Sequence, residues 1–272
     1  MEKANLNGKL AAKLLGWSES KVSRLLMGYQ IVNESDIAAL LALCLVKGDE
    51  KDRLMTLARE YDVPGWLQKH PPFETLVNLE RRATEITEFE VLRVPGLLQT
   101  GDYARALLAG SAVVTPDGIE PRIEKRLRRQ DLFNRHDRPE CTFYLHELVF
   151  YLPIGGPEVM SAQMHHLLRM SVRSYIVIRV IPAAIGAYGS TDGACRLMEF
   201  SHQRPIAYVE EQTAGHFMEE PDEITTYRRV FAKLANNALN EEQSRELVGD
   251  LAIRLYGEDR DGGQLAQEQL QR

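Results

Sequence analysis

Between Ser18 and Arg24 the chain places three hydroxyls, a carboxylate, an ammonium and a guanidinium around the single apolar residue Val22. Serine hydroxyls hydrogen-bond base edges of either sense, and an arginine or lysine head takes guanine O6/N7 or a phosphate oxygen. Phosphate contacts fix register but carry no base information, so the two roles are distinct. Side chains of this kind need a short helix that presents them on one side. Ala11, Leu14 and Leu15 form an apolar stripe for a first helix, and Gly16 supplies the left-handed stop that ends it. Ser18 is the N-cap of a second helix, with Val22 and Leu25 or Leu26 inward and Gly28 closing it. The outward set is then Ser18, Glu19, Ser20, Lys21, Ser23 and Arg24, which suits the major groove of double-stranded DNA. The same hairpin with a solvated charged face also occurs as a plain packing unit.

Charge is consistent with a local rather than global attraction to nucleic acid. The 272 residues carry a formal net charge of -6, from 33 basic and 39 acidic side chains. Residues 1–28 hold five basic against two acidic side chains, and residues 1–70 hold ten against nine. A positive face near the phosphates is what affinity for DNA requires. The three cysteines, Cys44, Cys141 and Cys195, show neither metal spacing nor a disulfide framework, which fits a cytoplasmic protein. No apolar run reaches membrane-spanning length, and no signal-peptide pattern opens the chain.

Periodicity predicts helices over 35–46 and 50–61, with Ile37, Leu40, Leu41, Cys44, Leu54, Leu57 and Ala58 facing the core, which complete an all-α N-terminal domain over 1–63. Proline and glycine at 64–65 and 71–72 mark a linker near 62–73, and Trp66 reads as a packing residue there. A second domain is expected over 73–258. Its predicted elements are a helix over 73–87, a strand over 88–92, and helices over 102–109 and 121–136. Strand-rich segments follow at 142–146 and 147–151, then a helix over 158–170. Strands at 175–181, 194–200 and 205–210 precede helices over 222–239 and 241–256. That order predicts an α+β domain with a mixed sheet flanked by helices, so the fold class is multidomain. Residues 259–272 are polar and expected to be disordered.

The helix over 121–136 is strongly basic, with Arg122, Lys125, Arg126, Arg128, Arg129, Arg135 and Arg138 on or beside it. It reads either as a phosphate or acidic-partner surface, or as a solvated helix paired with the acidic rest of the domain. Catalytic arrangements are thin. Gly155-Gly156-Pro157 lacks the lysine and hydroxyl of a phosphate loop. His165 and His166 project about 100° apart on a helix, which disfavours a shared metal. His146 and Glu147, as strand neighbours, point to opposite faces. The 190–193 loop has no following helix to make a nucleophile elbow. No enzyme activity, cofactor or metal is therefore expected. Glu210, Glu211 and Thr213 are the candidate ligand or partner site, lining a polar pocket beside the 186–193 loop.

Three blocks carry a family resemblance. Residues 15–24, LGWSESKVSR, resemble the recognition segment of actinobacterial Xre-type regulators. Residues 92–108, LRVPGLLQTGDYARALL, resemble the opening of the C-terminal domain of such proteins. Residues 208–215, YVEEQTAG, with Asp222 and 227–231, YRRVF, resemble its later part. The resemblance implies an antitoxin-like transcriptional regulator, often paired with a small partner protein, and names no ligand. It also implies a longer basic first helix, of which only residues 1–5 would remain here. Exposing even about 100 Å² of apolar surface costs about 2.5 kcal/mol, so DNA binding weaker than that of an upstream-extended chain is expected. The expected function is a sequence-specific DNA-binding regulator whose C-terminal domain forms a homodimer and senses a small-molecule effector or partner protein. The alternative is an antitoxin-like partner-binding protein with DNA binding weak or lost.

Overall fold

A computed structural model describes residues 6–26, 34–61, 73–190, 192–201, 203–212 and 215–257. The expected linker, Trp66, Thr213 and the C-terminal tail lie outside these residues. Two compact units divide the chain: Met1–His70 with Ser201–Arg204, and Pro71–Phe200 with Pro205–Arg272.

The first unit is helical. α1 (Gly8–Leu15) is capped by Asn7, whose side chain accepts from the Leu10 amide, and ends at Gly16 with φ +65°. α2 (Glu19–Leu26) follows after a turn of three residues. α3 (Glu34–Leu43) and α4 (Asp49–Tyr61) complete the unit. Ala11, Ala12 and Val22 form its small core, with Trp17 and Leu43 packed against them. The apolar stripe of α1 is thus rotated from the expected one: Ala12 is inside, while Leu14 is 57% exposed. Of the two alternatives on α2, Leu25 is buried and Leu26 is exposed.

The second unit is built on one six-stranded mixed sheet. Its strands are β1 (Glu85–Glu90), β2 (Glu140–His146), β3 (Ile176–Ile181), β4 (Cys195–Glu199), β5 (Ile206–Glu210) and β6 (Gly215–Met218), in the order β3-β2-β1-β4-β5-β6. β1, β2 and β3 are parallel, and β4, β5 and β6 add antiparallel pairs. Parallel pairing needs long crossovers. α6 (Gly101–Ala109) and α7 (Ile119–Arg129) lie between β1 and β2, and α8 (Pro157–Met170) lies between β2 and β3. α5 (Phe73–Arg82) precedes the sheet, and α9 (Pro221–Asn237) and α10 (Glu241–Tyr256) close the unit.

One face of the sheet, carrying Phe89, Tyr144, Cys195, Leu197 and Ala207, packs on Ile224, Phe231 and Leu234 of α9. Arg179 anchors the end of that helix, donating to the carbonyls of Ala235, Ala238 and Leu239 at 2.7–2.9 Å. The opposite face carries Ile86, Glu88 and Glu90 of β1 with their register partners Phe143, Leu145, Arg196 and Met198.

Four local expectations are corrected. The first helix of this unit ends at Arg82 rather than near 87, and β1 begins at Glu85. Residues 147–150 form a tight 3-10 turn, not a strand, burying Val149 and Phe150. The basic helix stops at Arg129, where a 3-10 turn over Gln130–Asn134 carries Leu132 and Phe133 into the core. β6 was not anticipated; four residues of mixed polarity give little period-two signal.

Candidate functional site

On the first unit, Ser18 starts α2: its hydroxyl accepts from the Lys21 amide at 3.2 Å and lies 3.1 Å from the Ser20 hydroxyl. Ser18, Glu19, Ser20 and Ser23 are all exposed. Lys21 is engaged within the unit. Its ammonium lies 2.9 Å from Asp36 on α3 and 4.2 Å above the Trp17 ring. Lys21 therefore ties α2 to α3, and reaches a phosphate only by leaving that pair. Arg24 lies on α2, and its side chain is outside the described residues. The arrangement is two short helices at a glycine-ended turn, with the N-terminal turn of the second bearing a cluster of small polar groups.

On the second unit, the two separated resemblance blocks meet. Arg93, in the first block, donates to Glu90 at 3.1 Å and to Glu210, in the second block, at 2.7 Å. The rest of the first block is a set of mutual supports. Tyr103 accepts from the Val94 amide, and Gln99 donates to the Val94 carbonyl. Thr100 caps α6, while Gln163 of α8 accepts from the Thr100 amide and donates to the Leu98 carbonyl. Gln163 and Tyr103 are fully buried, so each of these polar atoms must be paired to be tolerated there.

Arg93 is the outer end of a seam of charge on the sheet. Glu88 of β1 faces Arg196 of β4 across the ladder, and Arg196 donates to Glu88 at 2.7 Å and to Glu80 of α5. Arg129 of α7 grips Glu80 with two bonds, 2.5 and 2.9 Å long. Burial alone raises the Glu80 carboxyl, but Arg129 and Arg196 outweigh it and hold the group below its ordinary value. At Glu90 the balance is reversed. Burial, opposed by Arg93 and reinforced by Glu88, pushes its carboxyl up to about 8. Glu88 Oε2 and Arg196 Nε are buried without a hydrogen-bond partner among the described residues. The seam reaches solvent at Arg93 (side chain 35% exposed) and Glu210 (46%). β6 closes tightly beside it, because a Cβ on Gly215 would stand 2.7 Å from the Tyr208 ring.

Arg126 stands apart in this seam. The half-buried guanidinium donates at 2.8 Å to the neutral Gln99 Oε1, and no carboxylate pairs with it among the described residues. Burial, with the nearby charge of Arg129, lowers its pKa to about 10. The basic helix is thus divided: Arg129 is a core ion-pair residue, Arg128 pairs with Glu124 at the surface, and Arg126 has a neutral partner.

Other candidates have structural roles. Glu147 accepts from the Ala183 amide and the Tyr151 hydroxyl, and His146 accepts from the Leu148 amide. His165 contacts the Ser161 carbonyl at 2.8 Å. Among the described residues no group of His, Cys, Asp or Glu is placed to hold a metal ion. Beside the 186–193 loop an open cleft of about 470 Å³ is lined by Tyr188, Gly189, Lys233, Asn236 and Asn237. Glu210 and Glu211 are not among its described lining residues; Glu211 is exposed, 3.5 Å from His216. No helix among the described residues is long and apolar enough to cross a membrane.

Sequence reasoning singled out Ser18–Arg24 and Glu210 as candidates. It missed Glu80, Glu88 and Arg196, which lie far apart in the chain and meet only through the sheet. The only local signal was a glutamate at alternate positions of a strand, Glu88 and Glu90, where an inward apolar residue is the norm.

Fold and geometry together define a two-part protein: a helix-turn-helix unit followed by a larger α+β unit. Residues 1–54 match a family described as a helix-turn-helix domain. Residues 73–250, well over half of the chain, match a domain of unknown function, DUF5753, and the chain belongs to that family. No curated protein and no solved structure matches the chain.

Proposed function

We propose that this protein is a sequence-specific DNA-binding transcriptional regulator of the Xre type, acting by binding rather than catalysis. In this reading the α+β unit forms a homodimer and responds to a small-molecule effector or a small partner protein. The observation that carries the reading is the exposed, capped N-terminal turn of α2, with Ser18, Glu19, Ser20 and Ser23 outward at the second helix of a helix-turn-helix domain. In such domains the second helix enters the major groove with its N-terminal residues nearest the bases. Lys21 contributes by holding α2 on α3. Ser20 and Arg24 are the residues proposed to touch bases or phosphates.

A gel shift at two salt concentrations, on fragments selected from random sequence, tests this. The expected outcome is a specific shift that weakens steeply with salt, as counterion release requires, and is lost in the Ser20→Ala/Arg24→Ala variant. Equal retardation of selected and unselected fragments by both proteins overturns it. A second reading rests on Leu10 and Leu14 of α1, which are exposed. It makes the chain chiefly an antitoxin-like partner-binding protein with weak DNA affinity. That reading predicts no specific shift at either salt concentration.

A further inference from the structure

We infer that Arg126, held by Gln99 in the charge seam, is the subsite for the anionic group of a small-molecule effector, a carboxylate or phosphate. The inference rests on the effector reading above and names the chemistry of its ligand.

The charge pattern carries it. Four guanidinium groups line the seam. Arg129 has both Glu80 oxygens, Arg196 has Glu80 and Glu88, and Arg93 has Glu90 and Glu210. Arg126 alone among these four has no carboxylate, and its Nη1 is held by an amide oxygen. A half-buried guanidinium loses hydration that a neutral acceptor restores only in part, and an oxyanion restores it by a charge-assisted bond. The acidic groups nearby do not fill this role. Glu210 is drawn to Arg93 at 2.7 Å, and Glu90 lies buried on the same arginine at 3.1 Å. The head is also pre-oriented. Gln99 is held through its own amide by the Val94 carbonyl, and Gln130 donates to the Gln99 carbonyl, so both lie in a fixed framework. Fixed donors spend little ordering entropy on a ligand. The same seam holds Arg93 and Glu210, where the two separated blocks of the α+β unit are joined.

Isothermal titration of the full chain in a low-salt, phosphate-free buffer tests the assignment. Inorganic phosphate and malonate are the two probes, distinguishing a phosphoryl from a carboxylate preference. The expected result is saturable binding of at least one of them, weakened about tenfold or more by Arg126→Gln, as loss of a charge-assisted bond implies. Arg122→Gln, on the exposed surface of the same helix, is expected to bind as the parent does. Arg126→Gln should melt close to the parent without anion, since it removes repulsion from Arg129 and Arg93 together with attraction from Glu210 and Glu90 and the bond to Gln99. If that variant fails to fold, Arg126→Lys, which keeps the charge but not the planar fork, is expected to weaken binding several-fold. Saturation by neither probe, or Arg126 variants that titrate like the parent, overturns the inference. The gel shift repeated with the bound anion separates the two readings. Anion binding without any change in DNA affinity leaves the subsite standing and removes the effector reading.

Discussion

The residues of the seam divide by how burial and charge balance, and Glu90 shows the consequence. Its carboxyl stands near 8, against an ordinary 4.5, because burial and Glu88 outweigh the attraction of Arg93 and the more distant Arg196. Between those two values the folded protein keeps a proton that the unfolded chain has released. Unfolding there releases a proton, so stability declines as pH rises through the window. Glu90→Gln is neutral in both states and removes this contribution. Melting temperatures at pH 5.5 and 8.5 are therefore expected to fall further for the parent than for the variant. Parallel falls would refute the account, since every other titrating group is common to both. Glu80 and Glu210 are held below their ordinary values, so the stability they contribute is lost on acidification, below this window.

At the level of elements, one side chain of the sheet secures the C-terminal end of α9, in addition to the apolar packing along that helix. Arg179 donates to three carbonyls at the end of that helix, groups that lack partners within the helix itself. Removing it takes this donor from all three, though the Leu239 carbonyl keeps the Ser244 hydroxyl at 3.5 Å. Arg179→Ala is expected to cost about 1.5–3 kcal/mol, the range for hydrogen bonds to a charged group. Arg179→Lys should recover only part, having no planar fork. Chemical denaturation checks the order: parent most stable, then Lys, then Ala. An alanine variant as stable as the parent would show that water satisfies these carbonyls equally well.

The elements also mark where local pattern is informative. β3 was legible because Ile176, Val177, Ile178, Val180 and Ile181 make it rich in β-branched residues, interrupted only by Arg179 and ended by Pro182. Helices α9 and α10 were legible through their apolar spacing. The run Leu148, Val149, Phe150, Tyr151 was equally apolar, but short apolar runs do not separate strand from buried turn. β1 was displaced by a few residues because its inward positions hold Glu88 and Glu90, inverting the usual alternation. Their compensation, Arg196 and Arg93, depends on pairings that sequence spacing does not encode. The outward face of α2 was readable for the opposite reason: it needs only local cap, turn and helix chemistry.

For the molecule as a whole, the charge distribution and proposed dimer together constrain how DNA is held. The chain is acidic at -6, yet residues 1–28 carry five basic side chains against two acidic. Net positive charge is thus concentrated in residues 1–28, while the chain as a whole carries the sign that a duplex repels. A single unit with so few phosphate contacts binds weakly, whereas two units on one rigid dimer bind with a gain from effective concentration. Recognition helices of a two-fold dimer then lie about 34 Å apart, one turn of DNA. Footprinting is expected to show two protected half-sites of inverted sequence, centred about 10 base pairs apart or a whole-turn multiple of that. Inserting about 5 base pairs between them rotates one half-site to the opposite face of the duplex and should abolish the footprint, while about 10 restores it in part. A single protected half-site, indifferent to the insertion, would mean that each chain binds alone and that the α+β unit does not pair the two.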